Sequence, residues 1–147
     1  MIQNFATFRS SLPDDSIEAD GEIVVPCGRG LMDLIRTAFQ RSGFEASEID
    51  QHSHYGWSFD ASGAEGRFWL MIQYPEPWLL MIQDSRAIWK RAFAGKAVYE
   101  RFISESHSIM QSISEISDLR WVTEREWQEL SRRTNPKGEQ AVHGNTH

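Results

Sequence analysis

Hydrophobic and polar positions fall into three patterns along the chain. Residues 54–61, HYGWSFDA, alternate: Tyr55, Trp57 and Phe59 share one face, His54, Ser58 and Asp60 the other. A period of two predicts a half-buried strand. Residues 31–42 place Leu31, Leu34, Ile35, Ala38 and Phe39 at the i, i+3, i+4, i+7, i+8 spacing of an amphipathic helix. Gly43 predicts its left-handed stop, and Phe44 the apolar residue that folds back on its last turn. The third pattern has no polar face. FWLMIQ at 68–73 and WLLMIQ at 78–83 flank Tyr74-Pro75-Glu76-Pro77 and predict two strands joined by a stiff turn.

Weaker signals fill the rest. Residues 3–12 fit a short helix, 13–21 a loop, 22–26 a short strand and 28–30 a turn. Residues 86–93 predict a first helical piece, Ala94-Gly95 a break, and 97–117 a long helix with Val98, Phe102, Ile109, Ile113 and Ile116 as its stripe. Ser104, Ser108, Ser112 and Ser114 form its solvated side. Residues 119–122 read as extended. Thr123 and Glu126 then fit a capping box, with Val122 and Trp127 as its hydrophobic staple, opening a helix that runs to about Arg133. Residues 134–147 are polar and are expected to be disordered.

Together these predict an α+β fold in one domain, residues 1–133. Its sheet is a three-stranded antiparallel meander, with 22–26 as an additional N-terminal edge strand. An N-terminal helix and C-terminal helices pack on it. A turn centred on Pro75-Glu76 pairs Ile72 with Leu79, Leu70 with Met81 and Phe68 with Gln83. Both faces of the twin strands then carry large side chains. Three covers can explain this: a helix on each face, loops and the N-terminal segment on the second face, or an interface with another chain.

The helix at 31–42 and the meander after it, about residues 30–84, resemble in outline the small secretion-chaperone folds. The resemblance implies a dimeric chaperone-like or regulatory module, and the doubly apolar strands at 68–83 are where such a dimer would join.

Composition narrows the classes. A chain of 147 residues with 40% hydrophobic residues can bury a core without disulfide or metal. Its one cysteine, Cys27, suits a reducing compartment, and the N-terminus lacks the pattern of a signal peptide. No apolar run approaches the roughly 20 residues of a membrane span, so the expectation is a cytoplasmic protein without a membrane partner. The net charge of −6 is uneven: residues 1–65 hold 11 acidic and 4 basic residues. That argues against nucleic acid and for a basic protein partner.

Candidate chemistry is sparse. Cys27 precedes a helix start, where a thiol can be activated. The position six residues on is Asp33, however, which would repel a phosphate. His52 and His54 lie i, i+2 on a strand, short of the three or more protein ligands that zinc needs unless Asp50, Asp60 or His107 joins them. A Gly28-Arg29-Gly30 turn alone is a weak anion site. No cofactor or metal is expected.

The leading expectation is a non-enzymatic protein-binding domain. It would be an immunity or inhibitor protein of the bacterial kind that neutralises a basic toxin or effector. Asp14, Asp15, Glu18 and Asp20 would steer the partner, and Trp57 and Trp69 would anchor it. The alternatives are the dimeric module and a small enzyme using Cys27 or the His52/His54 pair.

Overall fold

The twin apolar segments are neighbouring strands near the middle of a wide antiparallel sheet. The computed structural model describes residues 2–53, 55–85 and 88–134, with 88–94 and 134 described by backbone alone. Within these, the elements in order are β1 (Phe5–Ser10), β2 (Ile17–Ala19), β3 (Glu22–Val25), α1 (Arg29–Arg41), β4 (Glu45–Ala46), β5 (Asp50–His52), β6 (Gly56–Gly63), β7 (Gly66–Gln73), β8 (Trp78–Asp84), α2 (Ile88–Gln111), β9 (Ile116–Val122) and α3 (Glu124–Thr134). The sheet has seven strands in the order β4-β6-β7-β8-β1-β9, with β5 also pairing β6; β2 and β3 form a separate two-stranded sheet.

The expected three-stranded meander is therefore too small. The meander β6-β7-β8 exists, but β1 and β9 extend it on one side and the short β4 and β5 on the other. Residues 3–12, expected to be helical, contain β1, which is paired on both sides, to β8 and to β9. Its sequence FATFRS buries Ala6 and Phe8 on one face and Phe5 on the other. A strand buried on both faces loses its alternation, so periodicity cannot separate it from a helix. The segment 22–26 forms β3, but it belongs to the outlying hairpin and not to the main sheet.

The twin strands pair one residue out of the expected register. Ile72 faces Leu80, Leu70 faces Ile82 and Phe68 faces Asp84. Gln73 faces Leu79, so the loop spans five residues, 74–78, and shifts every pair beyond it. Phe68, Leu70, Ile72, Leu80 and Ile82 point into the main core with Trp57, Phe59 and Ala61 of β6. Trp69, Met71, Leu79 and Met81 lie on the opposite face.

Both long helices cover the same face, which rules out the first of the three covers, with α1 on one face and α2 on the other. Leu31, Met32, Ile35 and Phe39 of α1 and Val98, Phe102, Ile109 and Met110 of α2 share one core with it. The rings of Phe68 and Phe102 stack at 3.9 Å between centroids, and Phe39 packs on Phe59 and Phe102. The second face is closed at one side by α3. Trp127 packs over Phe5, Leu79 and Val122, its ring 5.8 Å from that of Phe5. Trp69 and Met81 stay half-buried there, while Met71 is buried.

Local signals at the helix ends are realised. Phe44 N–H reaches Phe39 O and Gly43 N–H reaches Gln40 O, the paired bonds of a Schellman turn, with Phe44 packed on Phe39. Thr123 and Glu126 exchange the two capping-box bonds at 3.0 and 3.1 Å. Helix α2 runs unbroken through Ala94-Gly95 but stops at Gln111. The Ser112 hydroxyl donates to Ile109 O and competes for the last turn. Ile113 and Ile116 are buried, yet from the turn and β9 and not from the helix. No helix among the described residues is long and apolar enough to cross a membrane. Residues 135–147, where most of the disordered tail was expected, lie outside the described residues.

Candidate partner-binding site

The acidic stretch folds into two parts with different roles. In the first, the Asp14 carboxylate accepts the Ser16 amide at 2.8 Å, a tight local turn. Hydrogen bonds from Ser16 hold the Asp14 carboxyl below its usual pKa. Asp15, although exposed, bonds back to the fold: its two oxygens accept the N–H groups of Gly28 and Gly30 at 2.8 and 2.9 Å. These amides open α1, and Gly28, the residue before it, has no side chain to cap them. Asp15 does so from thirteen residues away and places a negative charge at the positive end of the helix. Gly28 has φ 116°, and a Cβ there would stand 2.8 Å from the Trp78 ring, so the helix entry needs glycine both for conformation and for room.

The second part is the β2–β3 hairpin. Asp20 and Gly21 have φ of 55° and 79°, the pair of left-handed residues of a two-residue hairpin turn. Every residue from Ile17 to Val24 is exposed. Ile17, Ile23 and Val24 expose 55%, 40% and 43% of their surfaces, three of the six large exposed hydrophobics among the described residues. Glu18, Asp20 and Glu22 lie between Ile17 and Ile23 on the same hairpin. No Lys or Arg occurs between Arg9 and Arg29. The hairpin root is held by Gln51, whose side-chain amide donates to Val24 O at 2.9 Å, and by Val25, which packs on the core. The arm thus presents carboxylates around its tip and exposed apolar side chains from Ile23 back to its anchored root.

The two expected tryptophan anchors part company. Trp57 is 3% exposed, its indole N–H bonds Pro26 O, and the Arg29 guanidinium lies 5.5 Å above its ring. It is a core residue with no surface to offer a partner, since its strand position points it beneath the α1 entry. Trp69 lies on the second sheet face, half-buried, edge-on to His52 at 5.7 Å. Sequence reasoning overlooked Ile17, Ile23, Val24 and Glu22. The signal was present: a D-G pair between two β-branched runs is a hairpin mark.

Cys27 is buried; burial, with the Asp14 and Asp15 charges adding to it, pushes its thiol up to about 11, the opposite of activation. His52 Nε2 sits 2.6 Å from the Oγ of buried Ser58. His54 lies outside the described residues. Among the described residues, no three of His, Cys, Asp and Glu converge on a point that could hold a metal. No protein-family model, curated protein or solved structure matches the chain.

Proposed function

We propose that the protein is a non-enzymatic binding domain of the immunity or inhibitor kind, and that it docks a basic protein through the β2–β3 hairpin. The observation that carries this reading is the exposure of Ile17, Ile23 and Val24 on the same short arm as Glu18, Asp20 and Glu22. A two-stranded hairpin is marginal in water by itself, so an arm with its apolar residues outward gains most when a partner covers it. The carboxylates raise the encounter rate with a basic surface, and the aliphatic side chains hold the complex once water leaves. Asp15 supports the arm by fixing the α1 entry. The partner fits the chemistry of a basic toxin or effector, whose substrate groove the carboxylates would occupy.

The test is a tagged pull-down from the native host, run in parallel with the wild-type chain and a hairpin variant, E18Q/D20N/E22Q. Asn at position 20 keeps the left-handed turn. The expected result is one stoichiometric basic protein with the wild type and a strongly reduced yield with the variant. Equal recovery by both, or a chain that elutes alone at twice its monomer mass, would sink the proposal.

A further inference from the structure

We infer that the cleft between α2 and β9 is a binding site for a small organic ammonium ion. The cleft lies at the β9 edge of the sheet, and β5, which holds the acidic hairpin through Gln51, lies at the other edge. Its volume is about 620 Å³, within the size range of small-molecule pockets. Its apolar lining comes from Ile2, Ile103 and the Trp121 ring; its polar lining is Glu100, Ser104 and His107 on α2, with Gln3 and Thr123 outside that helix. Glu100, Ser104 and His107 stand at i, i+4 and i+7 on α2, so they line the cleft in a row.

Charge selects the ligand. Among the described residues that line the cleft, Glu100 is the one acidic residue, and no Lys or Arg faces it. An anion would meet repulsion and no donor of fixed positive charge. A primary ammonium can place its N–H groups on the Glu100 carboxylate and the Ser104 hydroxyl. Its hydrocarbon part can lie along Ile103 and the Trp121 ring, whose face attracts cations. The ring is held in place: Trp121 Nε1–H donates to His107 Nδ1 at 2.9 Å. That bond settles Trp121 as a wall and leaves its indole N–H spent, so it does not compete for the ligand. It also leaves the His107 Nδ1 lone pair engaged. Ser106, the neighbouring buried hydroxyl, bonds Phe102 O and takes no part.

The experiment follows the indole N–H signals of the isotope-labelled protein by NMR, with Trp121 assigned through Trp121→Phe. Three probes of similar size are titrated: benzylamine, benzyl alcohol and phenylacetate. Benzylamine is expected to move the Trp121 signal with a dissociation constant on the order of millimolar, the affinity its small size permits. Benzyl alcohol should bind about tenfold more weakly and phenylacetate not at all. Glu100→Gln should weaken benzylamine about tenfold and leave benzyl alcohol unchanged, because a charge-assisted hydrogen bond becomes a neutral one. Glu105→Gln, an exposed acid on the same helix outside the cleft, should change neither. Equal shifts with all three probes, equal loss from E105Q and E100Q, or no shift of Trp121 with benzylamine would each overturn the assignment.

Discussion

At the residue scale the chain separates carboxylates that hold the fold from carboxylates that face outward. Asp14 and Asp15 are adjacent and chemically identical, yet only Asp15 satisfies amides of a helix entry. Asp15→Ala should cost about 1 kcal/mol of stability, the usual loss for a helix cap, with Asp14→Ala costing about half a kcal/mol or less. Urea unfolding of the two variants checks this; equal losses would remove the capping role. Cys27 and Tyr99 give a pH signature. Burial raises the Cys27 thiol from 9.0 to about 11 and the Tyr99 phenol from 10.0 to about 12, and the Tyr99 hydroxyl donates to Ile82 O. Both prefer the neutral form when folded. Their stabilising contributions are complete below the unfolded values, fall as pH rises past 9.0 for Cys27 and 10.0 for Tyr99, and are gone by the folded ones. Unfolding midpoints measured from pH 8 upward should therefore decline, and the native thiol should resist alkylation at neutral pH. A fast neutral reaction of the folded protein would contradict the buried, unactivated Cys27.

At the scale of elements, stability is spread unevenly. Strand β1 is bonded to a neighbour on each side and β7 to both β6 and β8, all under α1 and α2, whereas β2–β3 stands outside that core. Amide hydrogen exchange should be slowest in β1, β7 and β8 and fastest in the hairpin. Slow exchange in Ile17–Ala19 would mean that the arm is covered within the molecule itself. The same contrast marks what the sequence made legible. Helix α1, its Schellman turn, the capping box and the β6–β7–β8 meander all carry local signals, so they could be read from spacing alone. β1 could not, because a short strand apolar on both sides looks like any apolar run. The one-residue register error at 74–78 arose because loop length, and not the strand pattern, decides the pairing of two strands without a polar face. The hairpin was half legible: its acids were visible, while Ile17 read as part of a loop and Ile23 and Val24 as ordinary strand residues, and only the tertiary arrangement reveals their exposure.

For the whole molecule, the two sheet faces explain the twin strands. One face is buried under α1 and α2. The other is closed at its β1–β9 side by Trp127 of α3, with Trp69 and Met81 half-covered beyond it. Among the described residues, the two most exposed large aliphatic side chains, Ile17 and Val24, lie instead on the acidic hairpin, next to the sheet edge that β4 and β5 complete. The central claim is that this arm recruits a basic partner. The measurement that tests it most directly is the association rate of the recovered partner with wild type and with E18Q/D20N/E22Q over a series of salt concentrations. The account predicts a wild-type rate that falls steeply with salt, and a variant that associates at least about tenfold more slowly at low salt with a flatter slope. Identical rates and slopes for the two proteins would contradict it.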